Sequence, residues 1–407
     1  MKFYWVRFVS HWKMFLDFLL LNIFLKGALH QKSFLHFFQE FNYEELYAKK
    51  MVLQKAHGKD VIFFTFRGEH FLDWFIPIHL ALESLYSEKY TVYYINFAST
   101  LGRIGTGLEY LQFKKSVAKK LSQHNINPFQ HFSHLELESH ENFPEPDMIV
   151  TTETIRHEKF QAKERVFLPH GCITKYGNMP DHIKYNHFFA PSIPEFNYPE
   201  TATPETLSIQ IHQVGYPKIH LNLPEKQYFD SNKPIVLYSP SLETKFLLQC
   251  LKEGILEVFK NLPEINFLIK LHPSLKALRH YIVELFEKAQ HHYKNIKIDY
   301  LSGLQEIAPS TAMMVCDYGA VGAEYYLGYN RPFIAIKPPT WYQAGPDCFF
   351  NQKYAFQVTS IQGLAQAIPS GLESKKPVRS SPANEILYCF GSADQKAANT
   401  IHQILSP

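Results

Sequence analysis

Cysteine is scarce in this chain, and what there is lies far apart. Five thiols, Cys172, Cys250, Cys316, Cys348 and Cys389, are spread over 407 residues without a close pair. So odd and scattered a set is neither a disulfide framework nor a zinc site, and it fits a reducing, cytoplasmic compartment. No metal and no cofactor is expected. A surplus of one charge is missing too, since 41 Lys and Arg stand against 38 Asp and Glu. A general nucleic-acid binder needs a concentrated basic surface, so nucleic-acid partners are set aside. Internal repeats and low-complexity tracts are absent. At 46% hydrophobic and 19% charged, the chain has the balance of a folded protein.

A bilayer-spanning run is also missing. The longest apolar stretch, Phe15 to Leu25, is interrupted by Asp17 and Asn22. It reaches about half of the ~20 residues that a spanning helix needs. It is followed by no small-residue cleavage site, which argues against a secretory signal. Lys2, Arg7, Lys13, Lys26 and Lys32 flank it, with Trp5 and Trp12 close by. Basic flanks and interfacial Trp suit a helix lying on an anionic membrane, giving peripheral contact at the inner face of the cytoplasmic membrane. A helix packed on the first domain is the plainer alternative.

What is present is a repeated alternation of short apolar runs and helical spacers. Strands are expected at 60–66, 90–97, 147–151, 165–168 and 187–190, with a helix over 70–86. After a polar, Pro-containing linker the pattern restarts, with strands at 235–238, 266–271, 296–298, 313–316 and 332–336. Helices are expected over 247–260, 278–291 and about 384–405. Short buried strands separated by helices specify an α/β fold with parallel sheets covered on both faces. The expected domains are an N-terminal helical segment (1–55), a first Rossmann-like domain (56–224), a linker (225–233), a second such domain (234–382) and a C-terminal helix (383–407). Ligands of open α/β sheets bind at the carboxyl ends of the strands, which here would face a central cleft.

Three segments fall at such ends. Leu168-Pro169-His170-Gly171 puts a histidine on a tight turn, with Lys175 shortly after it. A neutral imidazole there could take a proton from an attacking hydroxyl; a turn-capping His is the bland alternative. Ile269-Lys270-Leu271-His272-Pro273 ends a strand on a histidine that could meet a phosphate oxygen, or could simply be a strand terminator. Cys316-Asp317-Tyr318-Gly319-Ala320-Val321-Gly322-Ala323-Glu324 reads as strand, small-residue turn and helix, the arrangement that aims free backbone N–H groups at an anion. Glu324, one turn in, could accept hydrogen bonds from ribose hydroxyls. Neither a Walker A loop nor a Gly-x-Gly-x-x-Gly fingerprint occurs there.

Taken in order, His170-Gly171 with Lys175, Val214-Gly215-Tyr216-Pro217, Tyr238-Ser239-Pro240-Ser241, Leu271-His272-Pro273, Asp317-Tyr318 and Asn330-Arg331-Pro332 resemble the CDP-glycerol glycerophosphotransferases. The resemblance covers about half of the chain, from Asp147 to Pro339. It implies a GT-B fold of two Rossmann-like domains, and transfer of a polyol phosphate from a CDP-linked donor to a lipid-linked or polymer acceptor in teichoic acid or capsule synthesis. It implies His170 and His272 as the catalytic pair. Substrate contacts would come from Gly171, Lys175, Ser239, Ser241, Lys270, Asp317, Gly319, Ala320, Val321, Gly322, Glu324 and Arg331. One departure stands out. The family carries Asp-Tyr-Ser-Ser where this chain has Asp317-Tyr318-Gly319-Ala320. That Gly-Ala turn with Glu324 is similar to the nucleotide site of UDP-N-acetylglucosamine 2-epimerases and other GT-B sugar enzymes. A nucleotide-sugar glycosyltransferase or epimerase is therefore the alternative, and a non-catalytic scaffold of a polysaccharide assembly complex is a second one.

Overall fold

The computed structural model describes residues 59–66, 71–98, 116–136, 145–152, 162–173, 185–193, 209–339, 350–373 and 383–406, apart from gaps of one to four residues inside these ranges. The basic, Trp-bearing N-terminal stretch and Lys175 lie outside them. No helix among the described residues is long and apolar enough to cross a membrane.

The chain forms two parallel sheets. The first contains β1 (Lys59–Phe66), β2 (Tyr90–Ala98), β3 (Phe132–Glu136), β4 (Met148–Thr151), β5 (Glu164–Phe167), β6 (His187–Ala190) and β7 (Gln210–Gln213), in the order β3-β2-β1-β4-β5-β6-β7. The second contains β8 (Ile235–Ser239), β9 (Asn266–Lys270), β10 (Ile296–Asp299), β11 (Met313–Cys316), β12 (Phe333–Ile336) and β13 (Phe356–Val358), in the order β10-β9-β8-β11-β12-β13. Both orders reverse direction once, as in doubly wound sheets. The helices are α1 (Leu72–Tyr86), α2 (Thr244–Lys252), α3 (Ile255–Lys260), α4 (His280–His292), α5 (Leu304–Ile307), α6 (Ala320–Tyr329), α7 (Leu364–Glu373), α8 (Ala383–Ile386) and α9 (Ala393–Leu405).

By contacts the chain divides into two compact units. One comprises Met1–Leu72, Glu83–Thr151 and His157–Arg165; the other comprises Asp73–Leu82, Thr152–Arg156 and Val166–Pro407. The core of the second unit follows directly from sequence. Val236, Phe267, Ile269, Met313, Val315 and Ile334 point from central strands, and Phe246, Phe259, Ile282 and Phe286 from the covering helices, all at most 4% exposed. Strands buried on both faces need such unbroken apolar runs.

Two expected helices are interrupted. The 247–260 prediction resolves into α2 and α3 because Gly254 sits at φ 87°, a left-handed conformation that ends one helix before the next begins. The C-terminal prediction resolves into α8 and α9, separated by Cys389 at φ 46° and Gly391 at φ 92°. The polar segment after Leu223 is strapped down. Lys226 Nζ and Tyr228 Oη each reach Asp299 Oδ2 at 2.7 Å, and Lys297 Nζ donates to the Tyr228 carbonyl.

Candidate functional site

The candidate site lies in the second unit. The chain leaves β5 through Leu168 and Pro169, both buried, and turns at His170, which is exposed. His170 Nδ1 lies 3.3 Å from the Thr152 carbonyl oxygen. Its own carbonyl accepts a hydrogen bond from Tyr216 Oη at 3.4 Å. Gly171 is held tightly: a Cβ there would lie 2.9 Å from the Ile173 oxygen and 3.6 Å from Ala320 Cβ. The His-Gly turn thus rests against the first residue of α6.

The start of α6 is built by the β11 end. Asp317, 4% exposed, accepts from the Ser241 amide at 3.0 Å and from Ser241 Oγ at 2.6 Å. This ties the loop after β8 to the loop after β11. Gly319 is the N-cap, extended at φ −122° and ψ 162°, with no side chain capping the helix. The first-turn amides of a helix have no intrahelical acceptors, so they carry a partial positive charge outward. The glycines divide by role. A Cβ on Gly319 would meet nothing closer than Asp317 Oδ1 at 3.7 Å, whereas one on Gly322 would collide with Phe333 Cε2 at 2.8 Å and Cys316 Sγ at 2.9 Å. Gly322 is demanded by packing, Gly319 is not.

Glu324 is placed differently from the ribose contact expected of it. Its side chain is buried, with Oε1 2.6 Å from Lys218 Nζ and Oε2 accepting from Tyr216 Oη at 3.3 Å. The Lys218 ammonium also sits 4.1 Å from the centre of the Trp74 ring. Burial, followed by the Glu324 charge, pushes the Tyr216 phenol well above its ordinary value, so it stays a neutral donor. A continuous chain of contacts therefore runs from Lys218 through Glu324 and Tyr216 to the backbone of His170. Lys218 and Trp74 carried no signal in the sequence; only the neighbouring Val214-Gly215-Tyr216-Pro217 did.

His272 follows β9, half-buried. Burial, then the charges of Lys270 and His170, lower its pKa from 6.5, which places the two histidines within electrostatic range of each other. A neutral imidazole here offers one N–H and one lone pair. Pro273 falls outside the described residues.

Two further residues expected to contact substrate, Lys270 and Arg331, are occupied within the protein. Lys270 Nζ donates to the Ser302 carbonyl at 2.6 Å. Arg331 donates to the carbonyls of Ala308 and Pro309 at 2.7 and 2.9 Å, fastening the turn before β11. Ser239 is buried in register with Cys316. The structure thus gathers His170, Gly171, Ala320 and Glu324 by direct or one-residue contacts, sets His272 nearby, and spends Arg331 and Lys270 on backbone carbonyls.

No protein-family model matches the chain, and no curated protein matches it significantly. Solved structures do. It is similar to Staphylococcus aureus MnaA, solved with UDP, with a TM-score of 0.55 and 13% identity over 85% of this chain and 97% of that one. The UDP-GlcNAc 2-epimerase of Neisseria meningitidis, solved with UDP-GlcNAc, gives 0.55 and 11% over 84% and 100%. That of Methanocaldococcus jannaschii, with UDP-GlcNAc and UDP, gives 0.52 and 17% over 86% and 99%. At these identities the likeness establishes the two-sheet α/β fold, GT-B.

Proposed function

We propose that this chain is an enzyme acting on a nucleoside-diphosphate-linked sugar, as an epimerase or glycosyltransferase. One observation carries the reading: the turn bearing His170 is packed against the uncapped start of α6, with His272 in electrostatic range. An anionic diphosphate at the α6 amides would be stabilised by them as the anomeric C–O bond breaks and negative charge moves onto it. His272 would donate its single N–H to the same group. In transfer, His170 would take the proton of the acceptor hydroxyl as its oxygen bonds to the anomeric carbon. The GT-B neighbours, solved with UDP or UDP-GlcNAc, support the nucleotide-sugar form of the donor. The Gly319-Ala320 turn supports it too, offering amides and no hydroxyls.

A second reading is polyol-phosphate transfer from a CDP-linked donor, in which a P–O bond breaks and CMP leaves. Tyr216, from the Val-Gly-Tyr-Pro segment that resembles the glycerophosphotransferases, bridges the His170 carbonyl and Glu324, so that segment supports the site directly. A lipid-linked or polymer acceptor and contact with an anionic membrane belong to this reading. Incubation with UDP-GlcNAc and with CDP-glycerol separates the two. Release of UDP or formation of a 2-epimer from the first supports the sugar reading; CMP from the second, with UDP-GlcNAc untouched, replaces it.

A further inference from the structure

A cavity of about 650 Å³ opens between β7 and α9, and none of the candidate-site residues lines it. The described side chains around it include one ammonium, Lys396, two amides, Gln213 and Gln403, and the imidazole of His212, while no carboxylate is among them. Lys396 and Gln403 lie seven positions apart on α9, two helical turns along one face. Lys396 is exposed and makes no ion pair with a described residue.

His212 is held in an unusual way. Its Nε2 lies 3.0 Å from Nδ1 of His187, a buried residue on the neighbouring strand β6. Two imidazole nitrogens at that distance share one proton, so one ring donates and the other accepts. When His187 donates, the proton of a neutral His212 sits on Nδ1. That nitrogen has no hydrogen-bond partner among the described residues, so it can donate to a ligand. Groups facing His212 are His187 from β6, Lys396 from α9, and Tyr388 and Cys389 from the turn before α9. Among the described lining side chains, one cation and several donors have no carboxylate to balance them. Burial, then His187, then Lys396 lower the pKa of His212 from 6.5.

We infer that this cavity is a second ligand site, for the oxyanion group of a small molecule, bound by Lys396, the His212 Nδ1–H, and the Gln213 and Gln403 amides. Phosphate and carboxylate share that chemistry. An anion there offsets the repulsion among Lys396, His212 and His187, so His212 takes up a proton more readily once the site is filled. By linkage, the anion binds more tightly as pH falls towards the lowered pKa of His212.

The test follows the His212 imidazole resonance by NMR in the full chain, with sulfate as the probe because it does not titrate in this range. Saturating sulfate should raise the pKa of His212, with about a tenfold gain in affinity for each pKa unit. Lys396→Met, at an exposed position, should abolish the response while leaving the circular dichroism unchanged. A parallel titration with acetate distinguishes the sources. A response to sulfate alone assigns a phosphate-type group, and a response to both assigns oxyanions in general. A His212 resonance indifferent to both ions, or a response that persists in Lys396→Met, overturns the site.

Discussion

At the smallest scale the proposal turns on His170. Its side chain stands exposed on a turn fixed from behind by Gly171 and Tyr216, so truncating it removes the imidazole and little packing. His170→Ala should lower turnover by about 10²–10⁴-fold with binding of UDP retained, the ordinary worth of a general base. A steady-state assay alongside UDP calorimetry checks this, and a rate above a tenth of wild type removes His170 from the role. His272 has a pH signature. Because its folded pKa lies below 6.5, the unfolded chain takes up that proton first as pH falls. Stability is therefore lost from about pH 6.5 down to the lowered value and no further. His272→Gln should flatten that stretch of the stability curve, and an unchanged slope by chemical denaturation would contradict it. The glycines were legible only as a small-residue turn. Which of them packing requires depends on Phe333 and Cys316, which sequence does not place. Gly319→Val should leave the melting temperature near wild type and weaken UDP binding sharply. Gly322→Val should instead destabilise by about 1–3 kcal/mol through overpacking. Thermal melts with and without UDP tell the two apart.

The elements show why some of the fold was readable and some was not. β8, β9 and β11 announce themselves because they are buried on both faces, and their bounds fall within a residue or so of the expectation. β3, β7 and β13 had no such signal. Each is the last strand on a sheet edge, and β7 reads Gln-Ile-His-Gln with its side chains largely exposed. An edge strand needs no apolar run, so periodicity passes over it. Helix breaks at Gly254 and Cys389 were hidden for a different reason, since apolar spacing continues across them while the backbone turns left-handed. The polar segment at 225–233 was legible as a linker, yet Lys226 and Tyr228 anchor it to Asp299. Burial alone would raise the Asp299 carboxyl, but hydrogen bonds from Lys226, Tyr228 and Ser302 outweigh it and hold the group well below its ordinary 3.8. That contribution is fully present above about pH 3.8 and is lost as pH falls through the lowered folded value. Lys226→Met should cost about 1 kcal/mol at neutral pH, discounted because the ammonium is half-exposed, and should move acid unfolding to higher pH. An acid titration followed by circular dichroism measures it, and an unshifted midpoint would mean that the strap contributes nothing.

At the scale of the whole molecule, sequence alone reached the fold class and the order of the site segments, because both follow from where strands end. The donor lay beyond it. The His-Gly, Val-Gly-Tyr-Pro and His-Pro segments resemble polyol-phosphate transferases, whereas our proposal, following the Gly-Ala turn, takes a nucleotide sugar. Burial of Glu324 against Lys218 was also beyond reach, since it joins residues 106 positions apart. The central claim is that the amides at the start of α6, with His170 and His272 beside them, serve a nucleoside-diphosphate sugar. The most direct test is to give the purified full chain UDP-GlcNAc and CDP-glycerol in separate reactions and resolve the nucleotides and sugars by chromatography. The account predicts UDP or a 2-epimer from UDP-GlcNAc, abolished in Gly319→Val, and no CMP; CMP from CDP-glycerol with UDP-GlcNAc recovered intact would contradict it.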